Sequence, residues 1–166
     1  MAPKQIVYWD ANCFLGFLKK EDDKIRQCLG VTELAQKGKL IIVTSAITLI
    51  EVVKLDNQLR LDEKSENTIR AFFNNPYIDI HNVDREVGII ARDLIWKHAI
   101  SQRDAIHIAT ALRLKLKKMH TFDIELYKLS NKHGDPKLKI CQPDLAHQME
   151  LAEYKPPKKD DTTKTQ

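Results

Sequence analysis

Five short runs of strand-forming residues, "QIVYW", "KLIIV", "YIDIHNV", "KMHTFD" and "LKICQP", alternate along the chain with segments whose apolar residues recur at helical spacing. Strands that alternate with helices imply an α/β fold with a parallel sheet covered by helices on both faces. The intervening helices read as "ANCFLGFLKK", "KIRQCLGVTELAQKG", "AITLIEVVKL", "DEKSENTIRAFFNNP", "DREVGIIARDLIWKHA" and "SQRDAIHIATALRLKLK", with "IELYKLSNKHG" as a short one. Gly38 is a natural C-terminal stop for the second, Thr44 or Ser45 an N-cap for the third, and Asp84 an N-cap for the fifth.

Sheets of this kind bind ligands in the crevice beyond the carboxyl ends of their strands. Asp10 directly follows the first strand, and Asp123 ends "KMHTFD" in the same manner. Glu51 lies about two turns into the helix after "KLIIV". Asp104 stands at the start of the long helix "DAIHIATALRLKLK", where backbone N–H groups have no partner within the helix. Four carboxylates are thereby expected at one edge of the sheet.

Each also has a role that requires no ion. Asp10 and Asp123 suit the N-caps of the helices that follow them, and "SQRD" has the capping-box spacing from Ser101 to Asp104. Glu51 falls between Ile47 and Leu55 on a helical wheel and faces buried surface, where Lys54 offers a partner three residues on. Capping and cation binding coexist, because a helix N-terminus favours negative charge in either case.

Four carboxylates in one pocket repel one another, and they stay ionised together near neutral pH only with cations to compensate them. The six histidines show no paired ligand spacing with the three cysteines, Cys13, Cys28 and Cys141, so the donors are oxygens. Oxygen donors select a hard ion, Mg²⁺ or Mn²⁺, which keeps waters and accepts phosphate oxygens. Such an ion activates water against a phosphodiester, and two of them clamp the attacking and leaving oxygens. Phosphodiester hydrolysis is the reaction this implies. Asn12 is placed to hydrogen-bond a ligand carboxylate or a metal-bound water, or to stabilise the first turn of its own helix.

The chain of 166 residues, 43% hydrophobic and 30% charged, has the size and balance of one globular domain. Residues 1–153 read as that domain, and the charged tail from Tyr154, "YKPPKKDDTTKTQ", is expected to be disordered. The least polar stretch, Leu40 to Ile50, is too short to span a bilayer and is broken by Thr44, Ser45 and Thr48. "MAPKQ" runs straight into a strand pattern with no apolar signal core, and the odd number of scattered cysteines suits reduced thiols, so a cytoplasmic protein without membrane attachment is expected. The net charge of +4 is concentrated in "RLKLKK" from Arg113 to Lys118 and in "KPPKK", runs that suit a polyanionic partner and equally suit a solvated helix end and tail.

In order and approximate spacing, "VYWDANCFL", "ITLIEVV", "RDAIHIATAL" and "HTFD" resemble the acidic signature of the PIN-domain nucleases, and within them the VapC-type toxins of toxin–antitoxin pairs. The resemblance spans about residues 6 to 145 and implies a three-layer α/β/α sandwich with a mostly parallel central sheet. It further implies a Mg²⁺- or Mn²⁺-dependent endoribonuclease acting on single-stranded or looped RNA, a homodimer, and inhibition by a small cognate antitoxin. On that resemblance Asp10, Glu51, Asp104 and Asp123 are the metal-coordinating, catalytic acids, Asn12 occupies a site for a small polar residue, and Thr121 supports Asp123. Arg103, Arg113 and Lys115, on or beside the helix that starts at Asp104, are candidate RNA contacts.

Three other readings compete. The same domain serves in RNA processing. A haloacid-dehalogenase phosphatase would want a second Asp where Asn12 stands, which argues against it. A non-catalytic RNA-binding module would scatter the acids and join the basic residues into one groove.

Overall fold

A computed structural model of the chain describes residues 4–55 and 62–143; the tail expected from Tyr154 lies outside the described residues. The elements in chain order are β1 (Gln5–Trp9), α1 (Ala11–Leu18), α2 (Ile25–Gln36), β2 (Leu40–Ser45), α3 (Thr48–Glu51), α4 (Glu63–Phe73), β3 (Ile78–His81), α5 (Arg85–His98), α6 (Gln102–Arg113), β4 (Lys118–His120), a 3-10 helix (Ile124–Leu129) and β5 (Lys139–Cys141). The five strands form one sheet in the order β3-β2-β1-β4-β5, with every pairing parallel.

Alternate residues of the central strand feed opposite layers, as the two-residue period of a strand requires. Val7 and Trp9 point into a core with Phe14, Cys28, Val31, Leu34, Ile69 and Phe73, beneath α1, α2 and α4. Tyr8 points the other way, into a core with Val87, Leu94, Ala105, Ile108 and Met119 beneath α5 and α6. Burial on both faces explains why the strands read as nearly continuous apolar runs. The parallel sheet covered on both faces, expected from the alternating pattern, is thus observed, and with it the three-layer sandwich that the resemblance implied.

Helix ends show where local chemistry decides. Asp84 accepts the Val87 amide at 2.8 Å as the expected cap, and Asp62 caps α4 in the same way. Gly38, at φ +71°, closes α2 through bonds from its own amide to Ala35 and from Lys39 to Leu34. This is the 6→1 and 5→2 pattern of a glycine-terminated helix.

Two expected helices are shorter than their sequence patterns. The segment "AITLIEVVKL" forms only the single turn Thr48–Glu51, and neither Thr44 nor Ser45 is its N-cap. β2 instead continues through both residues, because Ser45 pairs with His81 of β3 and the Thr44 hydroxyl donates to the Trp9 carbonyl at 2.8 Å. β-branched Ile47, Thr48, Val52 and Val53 favour a longer helix less than the strand's pairing favours extension. Likewise α6 stops at Arg113, where the amides of Lys115 and Leu116 bond to Leu112 and Ala111 with Lys115 at φ +54°. No glycine marks that stop, and the buried Leu116 draws the chain back toward β4.

α5 also ends without glycine. Ala99, exposed and at φ 52°, donates its amide to the Ile95 carbonyl and turns the chain toward α6. A left-handed alanine costs about 1–2 kcal/mol, partly offset by the greater freedom glycine has in the unfolded chain. Ala99→Gly is therefore expected to stabilise the fold by roughly 0.5–1 kcal/mol and to raise the thermal midpoint by roughly 1–4 °C. A midpoint below that of the parent protein would show that this turn carries no strain.

Candidate active site

The strand order reverses at β1: the chain moves outward through β2 and β3, then returns to place β4 on the other side of β1. The carboxyl ends of β1 and β4 consequently flank a topological switch point, where parallel sheets open a crevice. Trp9 is in register with His120, so Asp10 and Thr121 emerge side by side. The Asp10 amide donates to the His120 carbonyl at 3.4 Å.

Asp10 is only 3% exposed. Its Oδ1 accepts the Cys13 amide at 3.2 Å and so caps α1. Burial raises its pKa above the ordinary 3.8, opposed by the charge of His107 and by hydrogen bonds from Thr121 and Cys13. Thr121 is fully buried beside Asp10 across the β1–β4 pair, and its hydroxyl oxygen accepts the Asp123 amide at 3.0 Å. Asp123 stands three residues beyond the end of β4 and not directly after it, and its Oδ1 accepts the Glu125 amide at 2.9 Å. Asp104 forms the expected box with Ser101, whose hydroxyl donates to Asp104 Oδ2 at 2.6 Å and accepts the Asp104 amide at 3.1 Å.

Glu51 is paired differently from the Lys54 contact that the sequence offers. Its carboxylate, 11% exposed, lies 2.7 Å from His107 Nε2 and 3.8 Å from Arg103 Nε. His107 is the partner of Glu51 that sequence reasoning missed. The available signal was a lone histidine inside the apolar run "AIHIAT", one turn after Asp104, where burial demands partners. Asn12 is exposed on the first turn of α1.

The basic residues separate into two groups. Arg103 is exposed at the start of α6, beside Glu51. Arg113, paired with Glu86, and Lys115 lie at the opposite end of α6, about 16 Å away by helix rise. On the opposite face of the sheet, Lys24 pairs with Glu21 and lies 5.6 Å from the ring of Phe122, between Thr121 and Asp123.

Among the described residues, no three Asp, Glu, His or Cys side chains are gathered closely enough to hold an ion as they stand. The donor chemistry nevertheless fits a hard cation. Asp10 and Asp123 each spend one oxygen on a cap and Asp104 one on the Ser101 hydroxyl, all these donors are oxygens, and Asp10 is a carboxylate whose burial works against its own charge.

The PIN domain family model matches residues 7–132. No curated protein sequence matches the chain significantly. Among solved structures, the chain resembles VapBC2 of Rickettsia felis bound to a promoter DNA fragment, with a TM-score of 0.62 at 16% identity over 84% of this chain and 100% of that one. It also resembles VapC20 of Mycobacterium tuberculosis, a sarcin-ricin loop cleaving toxin, with a TM-score of 0.58 at 16% identity over 71% and 90% of the two chains. DNA-bound VapBC of Salmonella typhimurium gives a TM-score of 0.54 at 16% identity over 82% and 96%. At these identities the likeness concerns the fold.

The raised pKa of Asp10 has a consequence for stability. A buried acid keeps its proton in the folded state to higher pH than in the unfolded chain, so without metal its contribution falls as pH rises from about 4 through the folded value and stays lower above it. Asn retains the cap and removes the charge. In EDTA, Asp10→Asn is expected to melt at or above the parent at pH 7–8, with the gap closing as the pH falls toward 4. A variant clearly less stable than the parent at pH 8 in EDTA would contradict the assigned desolvation of Asp10.

Proposed function

Because the chain belongs to the PIN domain family, we propose that this crevice is the active site of a Mg²⁺- or Mn²⁺-dependent endoribonuclease, and that the protein is the toxin of a toxin–antitoxin pair. The observation that carries the reading is the burial of Asp10 at the switch point, beside Thr121, which accepts the Asp123 amide, together with the contact of Glu51 to His107 on the helix whose first turn holds Asp104.

Asp10, Glu51, Asp104 and Asp123 would hold the cation. Bound there, it supplies a water activated near neutral pH and offsets charge developing on the phosphodiester. Thr121 bonds the Asp123 amide beside Asp10, and the caps Asp10, Ser101 and Asp123 fix the backbone behind each carboxylate. Arg103, beside Glu51, and Lys24, over the ring of Phe122 next to Asp123, would meet RNA phosphates. Arg113 and Lys115, at the distal end of α6, suit a longer RNA or an unrelated solvated surface.

The toxin assignment draws on the likeness to VapBC complexes and to a toxin that cleaves the sarcin-ricin loop. A small antitoxin and a second copy of the chain are the partners it implies. Leu49, Ile50 and Val53 beside Glu51, and Ile89 and Trp96 on α5, are exposed apolar side chains available to them. Among the described residues no helix is long and apolar enough to cross a membrane.

Cleavage of a single-stranded RNA tests the assignment. The parent is expected to cut in Mn²⁺ and not in EDTA, and Asp10→Asn to lose roughly 100-fold or more of the activity while remaining folded. Full activity in folded Asp10→Asn would refute the assignment, and an active parent whose expression leaves growth unaffected would direct the same chemistry to RNA processing.

A further inference from the structure

Glu51 is the least supported of the four acids. It is the last residue of a single helical turn, Val52 leaves that turn at φ −99° and ψ 75°, and the adjacent Ile50 is 73% exposed. One turn of helix has too few backbone bonds to hold its final side chain in place. What holds the Glu51 carboxylate comes from two distant parts of the chain.

His107 is buried on the inner face of α6, one turn beyond Asp104. Its Nε2 lies 2.7 Å from Glu51 Oε2, and its Nδ1 lies 2.7 Å from the hydroxyl of Tyr8. The two rings meet edge to face, with centroids 5.8 Å apart. Tyr8 is fully buried on β1, two residues before Asp10. An ionised carboxylate only accepts hydrogen bonds, so Nε2 carries the proton in this contact. With Nδ1 met by the phenol, the ring has a partner at both nitrogens and cannot turn without breaking one of the bonds. Arg103, 3.8 Å from the other Glu51 oxygen, is 72% exposed and free to reorient, so it is the weaker restraint.

We propose that His107, anchored by Tyr8, is a positioning residue that sets the Glu51 carboxylate at the crevice for cation binding. The inference rests on the reading of Glu51 as a cation ligand given above. The chain Tyr8–His107–Glu51 joins β1, α6 and α3, so the central strand that delivers Asp10 also fixes the position of a second acid. Partners of this kind, one bond removed from an ion, typically carry 10- to 100-fold in metal affinity.

The test is titration of the folded proteins with Mn²⁺ alone, following free Mn²⁺ by its paramagnetic resonance signal, with the thermal midpoint in EDTA recorded for each variant. His107→Phe is expected to weaken Mn²⁺ binding roughly tenfold or more, and His107→Gln, which returns an N–H donor near the Nε2 position, to recover part of the loss. Combined with Glu51→Ala, His107→Phe is expected to have no further effect, because two residues acting through one contact are not additive. Should His107→Phe fail to fold, Tyr8→Phe carries the same test, with an expected weakening of roughly two- to tenfold that also vanishes beside Glu51→Ala. Parent-like Mn²⁺ affinity in the folded His107 or Tyr8 variants, or losses that simply add to that of Glu51→Ala, would overturn the positioning role and leave the metal site standing. A parent that leaves Mn²⁺ free, or a Glu51→Ala protein that binds like the parent, would overturn the cation-ligand reading of Glu51 itself and this inference with it.

Discussion

A carboxylate held almost out of water at the end of the central strand is the constraint around which this molecule is organised. Asp10 owes its place to the strand order: β1 is flanked by β2 on one side and β4 on the other, so its carboxyl end lies at the switch point in the middle of the sheet. Burial there disfavours the charge, and the surroundings offset that with the Cys13 amide, the Thr121 hydroxyl and the nearby His107. A divalent cation would stabilise the same charge far more strongly, which gives a buried acid at a surface crevice a chemical purpose beyond capping eight residues of helix.

The side-chain alternation of β1 extends that influence into both layers. Trp9, in the layer of α1, α2 and α4, donates from its indole to His120 Nδ1 at 3.2 Å and fastens β1 to β4 just below Asp10 and Thr121. Tyr8, in the layer of α5 and α6, meets His107, which meets Glu51. Consecutive residues of one strand therefore set the backbone of one pair of site residues and the side chain of another. Packing in such a site is close enough that a change at Tyr8, remote from any substrate, transmits to the crevice.

The alternation of strands and helices was readable because each apolar run was short, bounded and followed by a helical period, and burial on both faces leaves that signature in the residues themselves. Asp84, Ser101 and Gly38 were readable for the same local reason, since caps depend on neighbours within three or four positions. The end of α6 was not, because Lys115 adopts the left-handed conformation without glycine and only the burial of Leu116 explains the stop. The length of α3 was lost to pairing between Ser45 and His81, a contact across the sheet. The contact of His107 to Glu51 is not legible in the sequence because the partners of His107 lie 56 and 99 positions away, and Lys54 is the natural companion of Glu51 only in a helix that continues past it. Arg113 shares a helix with Asp104 and Lys115 follows just beyond its end, yet a helix carries its last residues away from its first turn.

On the proposed reading these acids together bind a divalent cation at the carboxyl end of β1. Anomalous diffraction at the manganese edge from crystals grown with Mn²⁺ tests it most directly. A manganese peak is expected within roughly 2.0–2.3 Å of an Asp10 oxygen, shared with at least one of Glu51, Asp104 and Asp123. A well-ordered crystal with manganese at other sites and none at Asp10 would contradict it.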